Sequence, residues 1–257
     1  MDKYALLGYP LSHSYSPLIH NLMFKQKNID ATYELKPLLQ EELNNAIDLL
    51  RKGEYKGYNV TIPYKVKIME YLDEITPNAR EIGSVNTVYC SDGKVIGDNT
   101  DYYGFIEQLK YNNVDCKHKN CYILGTGGAS LAVSKALKDL EANVYFVSRT
   151  KRLDVLTYDE FNEIEDIDLI VNATPVGMYP NVFDSPISEK CASKANTIVD
   201  IIFNPSITKL MSYNPNSYNG LPMLVFQAAK AQDIWLGQKF EIEEREILDR
   251  VRGELNE

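Results

Sequence analysis

The stretch CYILGTGGAS at residues 121–130 constrains the fold more than any other part of the chain. Its apolar residues 122–124 are typical of a buried parallel strand, and a helical pattern begins at Ala129, directly after the glycines. A strand, a glycine turn and a helix in this order are the setting that a dinucleotide-binding fingerprint requires. Gly125 permits a tight turn, Gly127 lets the backbone approach a pyrophosphate, and the helix N-terminus offers N–H groups to that anion. The alternative is a purely structural turn, because many such turns bind nothing.

The segment after the next predicted strand bears on the choice of cofactor. Residues 143–147 form the strand pattern, and SRTKR follows at residues 148–152. An NAD-binding unit normally has an acidic residue at this strand end, about 20 residues after the glycines, to hold the ribose 2′-hydroxyl. Arg149 stands there instead, and a guanidinium can hold a 2′-phosphate through charge-assisted hydrogen bonds. The sequence therefore favours NADP over NAD, with a solvated basic turn as the alternative.

Length, charge and cysteine usage exclude several classes of protein. The 257 residues can hold one large or two modest domains. A formal net charge of −9 argues against general binding of nucleic acid or anionic membranes. No apolar run approaches the roughly 20 residues that span a bilayer, and the first strand begins too early for a signal peptide. The four cysteines form no CxxC pair and the three histidines lack a further ligand cluster, so we expect a cytoplasmic protein with free thiols and no metal.

Strand and helix patterns alternate along the chain. Strands are expected at residues 3–8, 31–37 and 57–62, with helices from Ser16 to about 28, over 38–53 and from Pro63 onward. Strands at 82–89 and 94–97 form a hairpin through the turn at 91–93, and a helix over 102–109 follows. The remaining expectations are a trimmed element over 153–164, strands at 168–171 and 197–202, and helices over 224–237 and 241–254.

Four polar residues of the first part stand where strands end or helices begin. Ser14 lies in a loop at the carboxyl end of the first strand, the edge at which open α/β sheets bind ligands. Ser16 precedes a proline as an N-cap does, so capping alone could explain it. Lys65 falls in the first turn of the helix predicted from Pro63, where an ordinary surface lysine is the alternative. Asp101 could be no more than the N-cap of the helix that follows it.

Several segments, in the same order, resemble the motifs of the shikimate dehydrogenase family. They are GYPLSHSYSPLIHN, NVTIPYK, GSVNT and GDNTD in the first part, GTGGAS, SRT, NATPVGM and DIIFNP in the second, and GLPMLVFQAA near the end. The resemblance extends from Gly8 to Gly237, nearly the whole chain. One segment alone is a modest match, whereas the ordered series is very specific.

The resemblance implies an α/β fold with two domains. Residues 1–101 would form an amino-terminal α/β substrate domain with a mixed sheet, and residues 102–220 a Rossmann-like NADP-binding domain. Residues 221–257 would be carboxy-terminal helices that return to the substrate domain. The implied activity is the reversible NADPH-dependent reduction of 3-dehydroshikimate to shikimate, in the pathway to chorismate and the aromatic amino acids. The implied cofactor is NADP and the implied partner is a small-molecule substrate, with no nucleic acid, no membrane, and a monomeric or homodimeric state.

The resemblance also assigns roles to single residues. Lys65 and Asp101 are the expected catalytic pair. The expected substrate-binding residues are Ser14 and Ser16 for the carboxylate, and Asn59, Thr61, Lys65, Asn86, Asp101 and Gln227 for the ring. The expected cofactor-binding residues are Gly125, Thr126, Gly127, Gly128, Ala129, Ser148, Arg149, Thr150, Arg152, Asn172, Ala173, Thr174, Ile201 and Gly220.

The chemistry of ketone reduction independently requires such a pair. Hydride addition leaves an alkoxide, which needs a proton donor or a cation within hydrogen-bond reach. Lys65 can supply both, and a carboxylate at Asp101 can orient it and share the proton. Because a coupled pair titrates as a unit, the donor is not assigned to either residue.

Three positions depart from the family pattern. Phe203 replaces the more usual tyrosine, which removes a hydroxyl from the substrate or nicotinamide side. Ser148 replaces a common asparagine before Arg149, and Pro222 stands where glycine is frequent. None of these changes affects Lys65 or Asp101.

Other functions remain open from the sequence. The nearest is a dehydrogenase of quinate or an aminoshikimate with relaxed cofactor use, although Arg149 speaks against NAD. A catalytically silent protein that senses the ligand is the alternative from another class, and the presence of both Lys65 and Asp101 weighs against it. A folate dehydrogenase shares the architecture, but the paired serines and the GDNTD segment do not suit it.

Overall fold

The computed structural model describes residues 1–11, 14–239 and 241–255. His13, one of the three histidines for which no metal role is expected, therefore lies outside the described residues. The chain divides into two compact units. The first consists of Met1–Gly104 and Leu224–Val251, and the second of Phe105–Met223 and Arg252–Glu257.

The first unit contains a mixed six-stranded sheet. Along the chain it comprises β1 (Asp2–Gly8), α1 (Ser16–Gln26), β2 (Ala31–Pro37), α2 (Leu43–Arg51), β3 (Gly57–Val60), β4 (Glu74–Ile75), α3 (Pro77–Ile82), β5 (Thr87–Ser91), β6 (Lys94–Asp98) and the beginning of α4 (Asp101–Tyr111). Short 3₁₀ helices occupy Gln40–Glu42 and Lys67–Tyr71. The strand order is β2-β1-β3-β5-β6-β4. Only β5 runs antiparallel to its neighbours β3 and β6, and the other pairs are parallel.

The second unit contains an all-parallel sheet. It comprises β7 (Asn120–Leu124), α5 (Gly128–Asp139), β8 (Asn143–Ser148), β9 (Val155–Thr157), α6 (Tyr158–Asn162), β10 (Ile167–Asn172), α7 (Glu189–Ala192), β11 (Ala195–Asp200), a 3₁₀ helix (Met211–Tyr213) and β12 (Ser217–Tyr218). The strand order β12-β11-β10-β7-β8-β9 is the 3-2-1-4-5-6 order of dinucleotide-binding folds, read from the other end. Two further helices follow, α8 (Leu221–Leu236) and α9 (Glu244–Leu255), and residues Leu224–Val251 belong to the first unit.

Each unit has its own apolar core. In the first unit, α2 places Leu43, Ile47 and Leu50 on one face at helical spacing, and this face packs against sheet residues such as Tyr58 and Val88. In the second unit, the central strands β7, β10 and β11 are mostly buried, as expected for a parallel sheet covered on both faces. The sequence-based α/β class, with a mixed sheet in the first part and a Rossmann-like second part, is therefore confirmed.

Several local predictions are also confirmed. The strand at 31–37 matches β2, and the short element expected after residue 152 consists of the three-residue β9 and the five-residue α6. The hairpin turn lies between β5 and β6, where Asp92 and Gly93 have φ of 50° and 78°. Positive φ at both central residues is the geometry that matches the twist of a two-residue hairpin, and glycine adopts it readily.

The helix predicted from Pro63 is wrong. Residues 62–66 form turns, and only a 3₁₀ helix at Lys67–Tyr71 follows before β4. Hydrogen bonds from outside the segment explain the difference. The carbonyl of Lys65 accepts the N–H of Val85 at 2.8 Å, and the hydroxyl of Tyr64 donates to the carbonyl of Leu38 at 2.9 Å. Lys65 therefore stands in a turn rather than in the first turn of an α-helix.

Neither Ser16 nor Asp101, for which N-capping was the alternative explanation, is an N-cap. Ser16 is the first residue of α1 and Tyr15 is its N-cap, which makes no side-chain capping bond; the N–H of Ser16 donates to the Ser14 hydroxyl at 3.2 Å. Asp101 is the first residue of α4, and the side-chain oxygen of Asn99 accepts the N–H of Tyr102 at 3.3 Å. Both carboxylate oxygens of Asp101 are thereby left for other partners.

Some boundaries differ because caps and turns were not recognised in the sequence. The strand expected from residue 82 begins at Thr87, because α3 occupies Pro77–Ile82. Thr76 caps α3 by accepting the N–H of Ala79 at 3.3 Å, and the helix stops at Gly83, whose φ is 77°. Helix α8 begins three residues earlier than predicted because a proline is tolerated in the first turn of a helix.

Candidate active site

The polar residues of the first unit that the sequence analysis proposed for the site lie at one edge of its sheet. β1, β3 and β6 end at this edge, and the antiparallel β5 begins there. The register places Asn59 of β3 opposite Thr87 of β5, and Thr87 opposite Asp98 of β6. The residues that precede β5 or follow β3 and β6 therefore lie close together in space. Along the sequence they are separated by about the length of a small supersecondary unit.

Lys65 and Asp101 form an ion pair at this edge. The Nζ atom of Lys65 lies 2.5 Å from Oδ2 of Asp101, and the two side chains are only 15% and 9% exposed. Low exposure strengthens the attraction between the charges and reduces its screening by salt. The other carboxylate oxygen, Oδ1, accepts a hydrogen bond from Nδ2 of Asn86 at 2.9 Å. Both oxygens of Asp101 thus have a fixed donor.

The buried Asn86 has only one possible amide orientation. Its oxygen accepts the backbone N–H of Thr100 at 2.7 Å and the hydroxyl of Thr87 at 2.9 Å. Because a backbone N–H can only donate, this atom must be the oxygen, and the amide nitrogen must face Asp101. One of the two hydrogens on that nitrogen has no partner among the described side chains and can donate to a ligand.

The other predicted substrate residues of this unit lie along the same edge. The hydroxyl of Ser14 donates to that of Ser16 at 3.2 Å, and Ser16 is buried at the start of α1. Thr61 follows β3, and its N–H donates to the carbonyl of Leu7 near the end of β1 at 2.9 Å. Gln227 of α8 accepts a hydrogen bond from Thr100 at 3.5 Å. Ser16 also reaches the phenol of Tyr33, where its hydroxyl acts to lower the pKa that burial raises.

The sequence analysis missed three residues of this group. Tyr33, Thr87 and Thr100 are buried and link the predicted residues to one another. Thr87 and Thr100 lie inside the GSVNT and GDNTD segments, so their position beside Asn86 and Asp101 was an available signal. Tyr33 gave no signal, because a tyrosine in a predicted strand is an ordinary core residue.

The carboxyl ends of the parallel strands form the corresponding edge of the second unit. The predicted cofactor residues Gly125, Ser148, Ala173 and Ile201 directly follow or end β7, β8, β10 and β11. Backbone hydrogen bonds join them: Ala173 N–H to Leu124, Ile201 N–H to Asn172 and Gly220 N–H to Ile202, at 2.9, 3.1 and 2.9 Å. The strand order changes direction between β7 and β10, and open α/β sheets bind ligands at such a point.

The glycines at this edge fit a bound dinucleotide. Gly125 has φ of 103°, which favours glycine, and a Cβ there would lie 3.0 Å from Thr174. A Cβ on Gly220 would lie 1.9 Å from the carbonyl oxygen of Ile201, so only glycine fits. Nothing lies within 4 Å of a Cβ on Gly127, the N-cap of the twelve-residue α5, and no side chain caps this helix. An anion can therefore approach the backbone of Gly127–Ala129, and Thr126 lies in the same turn.

The basic segment after β8 contains two unpaired guanidinium groups. Lys151 is held by Glu160 at 2.7 Å, whereas Arg149 and Arg152 have no ion-pair partner within the described ranges 1–11, 14–239 and 241–255. Both arginines are exposed, and Thr150 is tied to Ser148 through an N–H donated to the serine hydroxyl at 3.3 Å. This donor set suits a phosphate group.

A buried carboxylate organises the opposite end of this edge. Asn172 donates to Oδ1 of Asp200 at 3.0 Å, as does the N–H of Ile202, and Thr208 donates to Oδ2 at 2.7 Å. The oxygen of Asn172 in turn accepts the N–H and hydroxyl of Thr174 at 3.0 and 2.7 Å. Burial raises the pKa of Asp200 to about 6, an effect that the Thr208, Ile202 and Asn172 donors oppose. Sequence reasoning missed Asp200, although it stands inside DIIFNP.

Other kinds of site have no support in the described part of the chain. Within residues 1–11, 14–239 and 241–255 no group of three or more His, Cys, Asp or Glu side chains is arranged to hold a metal ion. None of the helices in these ranges combines the length and apolar character needed to cross a membrane.

The fold and the two edges define an α/β protein with a Rossmann-like unit and a separate unit that carries a lysine–aspartate pair. Comparison with known proteins gives the family. A family model of the substrate binding domain of shikimate dehydrogenase matches residues 6–88. The NADP(+) shikimate dehydrogenase of Clostridium beijerinckii is 42% identical over 91% of this chain and 92% of its own length.

Solved structures agree with this result. A chorismate mutase/shikimate 5-dehydrogenase fusion protein of Clostridium acetobutylicum superposes with a TM-score of 0.96 at 37% identity, covering 100% of this chain and 99% of that one. The shikimate 5-dehydrogenase of Thermus thermophilus, in complex with NADP(H) and shikimate, has a TM-score of 0.88 at 29% identity, covering 98% and 99%. The chain belongs to the shikimate dehydrogenase family.

Proposed function

We propose that this chain catalyses the reversible NADPH-dependent reduction of 3-dehydroshikimate to shikimate, in the pathway to the aromatic amino acids. The observation that carries the proposal is the shielded Lys65–Asp101 pair, with Asn86 held against it, in the unit that matches the family's substrate-binding domain. The unit formed by Met1–Gly104 and Leu224–Val251 binds the substrate, and the unit formed mainly by Phe105–Met223 binds NADP.

The lysine–aspartate pair moves the proton of the reaction. NADPH, when bound, supplies the hydride that reduces the carbonyl carbon. The ammonium of Lys65 donates a hydrogen bond to the substrate oxygen and stabilises the negative charge that develops on it. A proton passes from the pair to that oxygen in reduction and returns to the pair in oxidation. Asp101 keeps the ammonium oriented, and the pair exchanges its proton as one unit.

Fixed polar groups at the edge of the first sheet recognise the substrate. The hydroxyls of Ser14 and Ser16 bind the carboxylate. Thr61, Gln227 and the remaining N–H of Asn86 bind the ring hydroxyls, together with the catalytic pair. A site built from such groups discriminates strongly against an analogue that leaves one of them unpaired.

The second unit binds the cofactor through its backbone and two arginines. The turn from Gly125 to Ala129 accepts the pyrophosphate, because the helix end points its N–H groups at the turn. Arg149 and Arg152 hold the 2′-phosphate, with Ser148 and Thr150 beside them. The residues after β10 and β11, namely Asn172, Ala173, Thr174 and Ile201, with Gly220, line the nicotinamide side.

The setting of the enzyme is also part of the proposal. We propose a cytoplasmic enzyme, monomeric or homodimeric, whose partners are small molecules. The net charge of −9 supports the exclusion of nucleic acid, because a polyanion is repelled by such a protein.

Absorbance of the reduced nicotinamide tests the proposal directly. Purified protein is mixed with shikimate or quinate, each with NADP or NAD, and the initial rates are compared. We expect the cofactor to be reduced quickly in the mixture of shikimate and NADP and slowly in the other three mixtures. Comparable rates with quinate or NAD would assign the chain to the quinate/shikimate or aminoshikimate branch. No reduction in any mixture, with NADPH still binding, would indicate a ligand sensor and would overturn the proposed function.

A further inference from the structure

Asn59 has little capacity left to bind a substrate. Its amide nitrogen donates to the carbonyl of Asn86 and to the hydroxyl of Thr87, both at 3.2 Å, which uses both of its hydrogens. Its amide oxygen accepts the hydroxyl of Tyr33 at 2.9 Å. The residue is only 5% exposed. Its polar atoms therefore hold neighbouring residues in place.

Tyr33 holds the oxygen end of the Asn59 amide. The backbone carbonyl of Asn86 can only accept, so the atom that faces it must be the amide nitrogen of Asn59, and the amide oxygen then accepts the Tyr33 hydroxyl. The phenol stays neutral because burial raises the pKa of Tyr33 well above its usual value, against the smaller effect of the Ser16 hydroxyl. The backbone of Tyr33 is clamped by Asn21, whose amide accepts its N–H at 3.0 Å and donates to its carbonyl at 3.3 Å.

A series of buried polar side chains fixes the imidazole ring of His20, which stacks on Tyr33. His20 stacks on Tyr33 with centroids 4.1 Å apart and planes at 6°. Lys27 donates to the oxygen of Gln232 at 3.0 Å, so the amide nitrogen of Gln232 faces Nδ1 of His20 at 3.1 Å. Nδ1 must then accept, which places the ring hydrogen on Nε2.

The second ring nitrogen of His20 is enclosed by the protein. Nε2 of His20 is buried and has no hydrogen-bond partner within residues 1–11, 14–239 and 241–255. Burial lowers the pKa of His20 to about 3, and the Asn59 side chain acts against this shift. The ring is therefore neutral, and its hydrogen stays on Nε2.

We propose that Tyr33, supported by His20, is a positioning residue for the catalytic pair, and that Asn59 transmits this effect to Asn86 and does not contact the substrate. The route runs from Tyr33 to Asn59, from Asn59 to the backbone of Asn86 and the hydroxyl of Thr87, and from Asn86 to Asp101. The inference rests on the proposed function, because it concerns the placement of the pair that moves the proton.

Loss of the Tyr33 hydroxyl removes the hydrogen bond that holds the amide oxygen of Asn59. The amide oxygen is then left without its direct donor, and a flipped amide would bring its oxygen against the carbonyl of Asn86. Either arrangement loosens Asn86 and with it the Asp101 carboxylate. Catalysis is sensitive to such a change, because small displacements of a reacting group lower the rate strongly.

Tyr33→Phe tests the positioning role, with Tyr58→Phe as its control. Both tyrosines are buried on strands of the same sheet, but the hydroxyl of Tyr58 has no hydrogen-bond partner among the described residues. We expect Tyr33→Phe to lower kcat for shikimate about tenfold, the effect of one unmade hydrogen bond to a buried acceptor, with KM for shikimate and NADP changed less than about threefold. Tyr58→Phe keeps the wild-type kcat. Equal kcat in the two variants, or a loss that lies wholly in KM, would overturn the proposal.

Asn59→Ser and substrate analogues separate positioning from contact. Each analogue lacks one of the two ring hydroxyls that do not react. If Asn59 acts through Asn86, the variant loses the same factor in kcat with shikimate and with each analogue, about tenfold or more. If Asn59 touches a hydroxyl, the loss disappears for the analogue that lacks that group, and the proposal is wrong.

The two experiments also distinguish this inference from the proposed function. Wild-type protein that fails to oxidise shikimate refutes the function itself. Wild-type protein that is active, with Tyr33→Phe as fast as Tyr58→Phe, refutes only the positioning role. Asn59→Ser supplies the same comparison if Tyr33→Phe does not fold, as judged by circular dichroism.

Discussion

Lys65 illustrates how the fold gives an ordinary residue type surroundings that suit the chemical task proposed for it. Its backbone carbonyl is held by Val85, and its ammonium lies against Asp101 with only 15% of the side chain exposed. Two residues further on, Lys67 is paired with Glu70 at a more exposed position. The two lysines thus differ in surroundings and not in chemistry, so they form a matched pair for mutation.

Lys65→Ala is expected to lower kcat by about 10²–10⁴-fold, the range for a lost acid/base group, while shikimate binding stays broadly intact. Steady-state kinetics and calorimetric titration with shikimate measure the two effects. Lys67→Ala should retain full activity. Near-normal turnover by the Lys65 variant would contradict the mechanism.

Arg149→Ala is expected to weaken NADPH binding selectively. The guanidinium has no acidic partner among the described residues and can pair with the 2′-phosphate, whereas Lys151 is already held by Glu160. Titration of each variant with NADPH and NADH gives the ratio of the two affinities. We expect the NADPH affinity, relative to the NADH affinity, to fall for Arg149→Ala and to stay unchanged for Lys151→Ala. An unchanged ratio in both would count against the 2′-phosphate assignment.

At the level of elements, close packing fixes how α8 lies on the sheet of the first unit. Nε1 of Trp235 donates to the carbonyl of Val88 at 3.2 Å, and its ring covers Gly57 of β3. A Cβ on Gly57 would lie 2.4 Å from the indole, which no side-chain contact tolerates. This glycine is required by the approach of a helix rather than by its own backbone angles.

Gly57→Ala is expected to lower the free energy of unfolding by about 1–3 kcal/mol, the cost of overpacking. The single tryptophan, Trp235, reports on urea unfolding through its fluorescence. Gly253→Ala in α9 is the control, because nothing lies within 4 Å of a Cβ there and alanine favours a helix. A Gly57 variant as stable as the control would show that the indole moves aside freely.

The buried Asp200 predicts a pH dependence for the edge where β10 and β11 end. Its pKa is about 6 in the folded protein and about 3.9 in an unfolded chain. A raised pKa means that the folded state binds the proton more tightly, so this group stabilises the fold at low pH. That contribution is complete below about pH 4 and is lost as pH rises through about 6.

Asp200→Asn should remove this dependence. Relative to wild type, the free energy of unfolding of the variant is expected to increase by up to roughly 3 kcal/mol between pH 4 and pH 7, because two pKa units correspond to that amount. Urea unfolding followed by circular dichroism at several pH values measures the difference. A difference that does not vary with pH would contradict the role assigned to burial.

The elements that the sequence predicted well are those with strong local signals. β2, the β5–β6 hairpin and the strand–turn–helix around Gly125 depend on periodicity and turn residues, and each was found where expected. The helix predicted from Pro63 failed because hydrogen bonds from Val85 and Leu38, distant in sequence, hold residues 64 and 65. Periodicity cannot show such bonds.

At the level of the whole molecule, each unit is assembled from segments far apart in the chain. Leu224–Val251 joins Met1–Gly104, and this brings Gln227 and Gln232 to the same unit as Lys65 and His20. The ordered motifs supplied the residues of the candidate site that the sequence analysis proposed, but not Tyr33 or Asp200. The commitment of Asn59 to its neighbours was not predictable, because it depends on Tyr33, whose hydroxyl meets it across 26 positions of sequence.

The net charge of −9 shows that the molecule as a whole does not attract its proposed anionic ligands. Local groups must do so: the serine hydroxyls for a carboxylate, the Gly125–Ala129 turn and two arginines for phosphates. In the proposed mechanism, the reaction depends on Lys65 and Asp101, which form an ion pair, acting together.

A double-mutant cycle on kcat measures this dependence. Lys65→Ala, Asp101→Asn and the double variant are compared with wild type under saturating shikimate and NADP. If the two residues exchange one proton as a pair, the double variant should be about as slow as the slower single variant, because the second change removes nothing further. Losses that multiply in the double variant would show that the residues act independently, and the shared proton transfer proposed here would be wrong.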